Sequence, residues 1–219
     1  MRGNAAKMRD AIRRVIIRIR EWREKIRLYN EISGVGEIAR RYFALNAFDG
    51  TLTIFGVVLG IILAKGPVPD IYTLKILIGA GIGGSIAMCI SGIFGAYVTE
   101  KAERERKLRE LESAMLAKLE DTIISRANRF ATVMIALIDG FAPLLTALLS
   151  LIPPWLSLHG ILPLEYTIPT TIVAIFAILF MLGVFLGRAT KEPAFIYGLK
   201  TLAIGMATSL LLIALDILI

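Results

Sequence analysis

Residues 71–98 read IYTLKILIGAGIGGSIAMCISGIFGAYV, and residues 99–112 continue as TEKAERERKLRELE. The first stretch holds one charged residue, Lys75, across 28 positions, whereas the second interleaves Glu with Lys and Arg at almost every step. A helix of 28 residues rises about 42 Å, enough to cross a hydrocarbon core of about 30 Å. A segment so poor in charge belongs in lipid, and the charged continuation belongs outside it. The pattern predicts one long rod, a span that runs on as a helix over Thr99–Ser125, with Leu108, Leu111, Met115 and Leu119 on its apolar side.

The rest of the chain repeats this segregation. Of 219 residues 56% are hydrophobic and 20% charged, with 25 Lys+Arg against 18 Asp+Glu and a formal net charge of +7. Residues 1–41 hold 12 of the basic residues and residues 99–129 another 8. Further apolar runs at about 42–64, 130–152, 166–187 and 195–219 bring the expected spans to five. Gly66 to Asp70 makes a tight turn, Pro153 to Leu164 a Pro/Gly-broken uncharged loop containing His159, and Arg188 to Pro193 a short charged connection. Basic residues concentrate in the N-terminal segment, the 99–129 insert and the 188–193 turn, which places the N-terminus in the cytoplasm and the C-terminus outside. The expected fold is therefore an all-α integral membrane protein of five transmembrane helices. Its organisation is a cytoplasmic basic amphipathic helix over 1–40, then a transmembrane domain over 41–219 with the cytoplasmic helical insert 99–129.

In that first helix Ile12, Val15, Ile16, Ile19, Trp22 and Ile26 recur at three- and four-residue spacing, opposite Arg and Lys. Such a helix lies among lipid headgroups or packs on its own protein. The basic balance is accounted for by the positive-inside bias and by anionic lipid, so no nucleic-acid partner is expected. The N-terminus lacks the apolar core and cleavage site of a signal peptide. The lone cysteine, Cys89, excludes an intrachain disulfide and any Cys-based zinc site.

Gly79 to Gly84 contains a literal G-x-G-x-x-G string, but no strand precedes it and it sits within an apolar span, so it is not a dinucleotide fingerprint. Small residues at Ala80, Gly84, Gly92 and Ala96 instead suggest close helix packing.

Acids within spans carry the functional signal. Asp49 lies eight residues past Arg41, about 12 Å into the bilayer, and Asp139 lies ten past Arg129, about 15 Å deep. Unpaired carboxylates at that depth mark ion or proton pathways, the alternative being a hydrogen bond across helices. Asp216 falls near the outer end of the last span. Met88, ten residues before Val98, is also about 15 Å deep. Asp49, Met88 and Asp139 are thus expected in one layer, with Asn46 offering a carbonyl oxygen one turn before Asp49. Carboxylate oxygen with a soft thioether suits a borderline transition metal better than Na⁺ or Ca²⁺. Glu100, Glu103 and Glu110 share one helical sector and suggest a cytoplasmic collecting site for cations. Lys107 in that sector, with Arg104 and Arg106 beside it, favours a solvated helix held by ion pairs instead. His159, the only histidine, has no partner for acid–base or nucleophilic chemistry, so no enzyme is expected.

These segments resemble the vacuolar iron transporter family, the relatives of yeast-type iron/manganese carriers. Arg41 to Gly56, with Asn46 and Asp49-Gly50, looks like the family's Asp-Gly signature. Gly84 to Met88 and Gly95 to Glu100 resemble its Met-containing second helix, with Ala96 where the family has Glu. Ala142-Pro143-Leu144-Leu145, Leu182 to Arg188 and Leu202 to Thr208 resemble its last three spans. The resemblance runs from about residue 40 onward and marks a short prokaryotic-type member, lacking the full cytoplasmic metal-binding domain. It implies a homodimeric carrier that moves Fe²⁺ or Mn²⁺ out of the cytoplasm in exchange for protons, with Asp49 and Met88 on the path. No permanent cofactor is implied, the metal being substrate, and in a prokaryote the site of action is the cell membrane. The expectation from another class is a non-transporting membrane scaffold that docks a partner through its charged helices.

Overall fold

The computed structural model of the protein describes residues 2–120 and 122–218. The side chains of Ile12, Val15, Ile16, Ile19 and Asp216 lie outside the described residues. Seven helices follow in order: α1 (Arg2–Ser33), α2 (Val35–Lys65), α3 (Ile71–Met115), α4 (Ile123–Ser150), α5 (Ile152–Leu158), α6 (Leu164–Ala189) and α7 (Ala194–Leu218). Every described residue within these bounds is helical, and no strand occurs among the described residues. Five helices, α2, α3, α4, α6 and α7, are long and apolar enough to cross a membrane. The protein is an integral, multi-pass membrane protein.

The expected rod exists but is shorter. α3 runs 45 residues without a break, about 68 Å at 1.5 Å per residue. It stops at Met115, where Leu116 takes a left-handed conformation (φ 52°) and its N–H bonds back to the Glu112 carbonyl. α4 begins anew at Ile123, where its N-cap Thr122 accepts from Ser125 N–H. The helix expected over Thr99–Ser125 is therefore two helix ends and a turn. A second difference lies between α4 and α6. The segment read as a broken loop contains α5, because Pro153 and Pro154 occupy a helix start, where the missing N–H costs nothing. Its end holds His159, whose ring contacts the Trp155 ring and carbonyl. At the N-terminal side only Gly34 (φ 62°) separates α1 from α2, so residues 35–41 form the first turns of the spanning helix.

Helices α2 and α4 pack together at the centre, α3 covers one side of the pair, and α6 with α7 covers α2 on the other. Ile54, Phe55, Val58, Leu74, Leu77, Ala147, Leu151, Ile168, Ile175 and Leu179 form the largest buried cluster. Without a hydrophobic drive between helices in lipid, association depends on close backbone approach and interhelical hydrogen bonds. Both are present. A Cβ at Gly50 of α2 would collide with the Pro143 backbone of α4, and one at Gly140 with the Cys89 carbonyl and Ile93 of α3. The Thr146 hydroxyl donates to the Ala47 carbonyl at 2.8 Å, and that of Thr201 to the Leu179 carbonyl at 2.9 Å.

Candidate metal and proton pathway

On α2 the residues Tyr42, Asn46, Asp49 and Thr53 follow at four-, three- and four-residue spacing, which aligns them along one helical face. This polar stripe extends about 16 Å from the first residue to the last. It passes the α3–α4 crossing, and its members meet different surroundings there.

Asp139 is buried, 9% exposed. Its carboxylate accepts from the Asn46 amide, which also donates to the Tyr42 carbonyl at 2.9 Å. Gly92 of α3 closes the pocket from the third side, where a Cβ would lie 3.0 Å from Asp139 Oδ2 and 3.1 Å from the Gly140 Cα. Glycine at 92 and 140 thus lets α3 and α4 approach closely enough to enclose the acid. Asp49 is different: it is exposed, one turn along the stripe from Asn46. Thr53, also exposed, donates to the Asp49 carbonyl at 2.8 Å and meets the Met88 sulfur at 3.7 Å. Met88 itself is half-buried.

The expected single layer is therefore two adjoining arrangements. One is an enclosed Asp139–Asn46 pair among α2, α3 and α4. The other is an open Asp49–Thr53–Met88 group on the surface of α2 and α3. Depth along the helices brings the residues to a similar level, and rotation separates them. Asn46 faces Asp139 rather than standing free beside Asp49. No group of three or more His, Cys, Asp or Glu able to hold a metal occurs among the described residues. Gly92 acts in packing as expected, but Gly84 does not: a Cβ there would meet nothing within 4 Å in this chain. The same holds for Gly56, Gly60 and Gly95, which share the helical faces of Asp49 and Met88, so much of the surface around those two residues is small and open.

At its basic end the stripe meets α3. Tyr42 lies beside Glu100, and Glu100 pairs with Arg104 at 3.1 Å. The two charged side chains are only 13% and 10% exposed, and Arg104 also donates to the Asn128 carbonyl oxygen at 3.3 Å. Glu103 is bridged by Arg106 at 2.9 Å and Lys107 at 3.2 Å, and Glu110 by Arg106 at 3.3 Å. Arg106 and Lys107 hold the Glu103 carboxyl below the usual carboxylate range. The three glutamates do not converge. Each is paired with a base on its own helix, as the ion-pair reading of the sequence expects. Sequence reading did not single out Tyr42, Thr53, Arg104 and Asn128, which border these residues. For Tyr42 and Thr53 a signal was available: they extend the Asn46–Asp49 spacing in both directions. For Arg104 and Asn128 only the α3–α4 contact reveals it.

No protein-family model matches the chain. An uncharacterized protein of Methanocaldococcus jannaschii, MJ0645, is 34% identical over 179 residues, covering 80% of this chain and 87% of the relative.

Proposed function

The chain belongs to the same family as that archaeal protein, and we propose that it is a divalent transition-metal carrier exporting Fe²⁺ or Mn²⁺ from the cytoplasm by proton antiport. The observation that carries this reading is the Asp49–Thr53–Met88 group. Thr53, one turn beyond Asp49 on the same α2 face, meets the Met88 sulfur of α3, so an acid-bearing face of one spanning helix adjoins a thioether of the next, and that pairing of donors suits a borderline divalent metal. The resemblance to vacuolar iron transporters assigns the path to the same two residues, Asp49 and Met88. Both would be ligands, with water or a second copy completing the shell.

The open glycine face around them supports a homodimer, since small residues let a second copy approach closely. In this arrangement the metal path runs where the two copies meet. The basic N-terminal segment and insert support an N-terminus in the cytoplasm and a C-terminus outside. Metal then enters past Glu100 and moves along the α2 stripe to Asp49. Protons entering from the outer side compete for the carboxylates and release the ion. Asp139, enclosed and bonded to Asn46, one turn from Asp49, is the second carboxylate in this reading.

A scaffold reading is favoured by one observation, the complete pairing of Glu100, Glu103 and Glu110, which leaves no free acid at the metal entrance. Metal-dependent stability separates the two. The carrier reading expects Mn²⁺ to raise the unfolding temperature of the detergent-solubilised chain, and Asp49→Ala to remove that rise without lowering the metal-free value. A scaffold shows no rise in either protein and loses stability on substitution.

A further inference from the structure

A crevice of about 790 Å³ opens between α3 and α4 at the basic end of the spans. Its membrane-side margin is Tyr97 and Val133, 41% and 48% exposed, close to the last apolar residue of each helix. Beyond them the lining turns polar, with four basic side chains (Lys101, Arg104, Arg109, Arg129) against three acidic ones (Glu105, Glu112, Glu120). The charges are not equally committed. Glu112 accepts from the Leu119 N–H at 2.7 Å, Glu105 stands 3.9 Å from Lys101, and Arg104 is paired with Glu100. Arg109 and Arg129 have no acidic partner among the described residues. Asn128 gives its carbonyl oxygen to Arg104, which turns its two amide N–H donors outward from that bond.

Depth argues for what fits. Counting from Val98, Arg104 lies about 9 Å and Arg109 about 16 Å past the hydrocarbon edge, and Arg129 stands at the edge on α4. The headgroup layer occupies roughly the next 5–8 Å outside the hydrocarbon. Side chains on a helix lean toward its N-terminus, so Arg109 of α3 leans back toward the membrane. Two uncommitted guanidiniums and an amide thus bracket the level at which lipid phosphate sits, beside an apolar margin that can take the first carbons of a chain. The first turns of α4, a 28-residue helix whose Ser125 lines the crevice, add a favourable dipole for an anion.

We propose that this crevice binds a phosphodiester headgroup, that of an anionic phospholipid of the surrounding bilayer. Arg109, Arg129 and the Asn128 amide contact the phosphate, and Glu105 and Glu120 accept from hydroxyls of the headgroup. Basic pockets between spanning helices are a recurrent form of lipid recognition. The crevice borders the Glu100–Arg104–Asn128 cluster at the end of the α2 stripe but includes neither Asp49 nor Met88, and it does not depend on metal transport.

The test is native mass spectrometry of the full chain with equal phosphatidylglycerol and phosphatidylcholine, and with glycerol phosphate as a soluble competitor. The expected result is retention of phosphatidylglycerol over phosphatidylcholine by roughly tenfold, the scale expected of one to two basic residues near a lipid surface. The R109Q/R129Q double variant loses that preference and keeps its unfolding temperature in lipid-free detergent. Arg129→Gln alone, at an exposed position, serves should the double variant unfold. R20Q/R27Q on α1 keeps the preference. Displacement by glycerol phosphate at comparable concentration assigns the same residues to a soluble phosphoester instead of a lipid. Equal retention of both lipids by the native chain, or loss in R20Q/R27Q rather than R109Q/R129Q, overturns the site.

Discussion

A carboxylate enclosed by three helices is held in place by whatever donor reaches it, and Asp139 receives its hydrogen bond from Asn46. Removing one partner of a buried pair leaves the other unsatisfied, at about 1–3 kcal/mol. Asn46→Ala should therefore destabilise the detergent-solubilised protein by that amount, measured by denaturant unfolding. The Asn46→Ala/Asp139→Ala double variant should cost less than the two single losses summed, because the second removal no longer orphans a partner. Strict additivity would show that the pair is not an energetic unit. The two acids also show what the sequence discloses at this scale. Counting residues from the nearest basic edge sets both acids at a similar level, and Asp139 does meet Asn46, one turn from Asp49. Such counting says nothing of rotation, so the sequence could not tell that Asp139 faces inward between α2 and α3 while Asp49 faces outward.

Among the helices, close approach is what holds α2 and α3 to α4. Gly50→Ala and Gly140→Ala each insert a methyl into neighbouring backbone, at about 1–3 kcal/mol of overpacking. Gly84→Ala, facing open space, should change monomer stability by less than about 0.5 kcal/mol. Equal effects at all three positions contradict the packing described. The start of α3 offers a pH test. Asp70 caps it by accepting from the Thr73 N–H at 2.7 Å, and this bond holds its carboxyl below the usual carboxylate range. A carboxyl with a lowered folded pKa stabilises above its unfolded pKa of about 3.9, and that contribution disappears as pH falls through the folded value. Native protein should thus unfold at a higher temperature than Asp70→Ala at pH 7, the gap closing below about pH 4. A gap independent of pH contradicts the cap. Span number and the α3 rod were legible because hydropathy and charge segregate so completely. The rod's end was not, since Leu116 adopts a left-handed turn with none of the glycine signal that usually announces one. Nor was α5, whose paired prolines read equally well as a break or a start.

As a whole molecule the protein presents a surface of small residues on α2 and α3, and the homodimer proposed for it has a direct consequence. Gly95→Leu, on the Met88 face with nothing within 4 Å, should leave the monomer's unfolding temperature unchanged and shift the population from dimer to monomer in size-exclusion chromatography with light scattering. A native chain that is monomeric in detergent and in bilayers removes this part of the account. The central claim is that Asp49 carries a divalent metal across the membrane against protons. Its most direct test is Mn²⁺ and Fe²⁺ flux into proteoliposomes under an imposed proton gradient, comparing the native chain with Asp49→Asn. Proton-coupled carriage through Asp49 requires gradient-dependent flux in the native protein and its loss in the variant, with both proteins equally folded. Undiminished flux through Asp49→Asn, or no flux through a well-folded native chain, would contradict it.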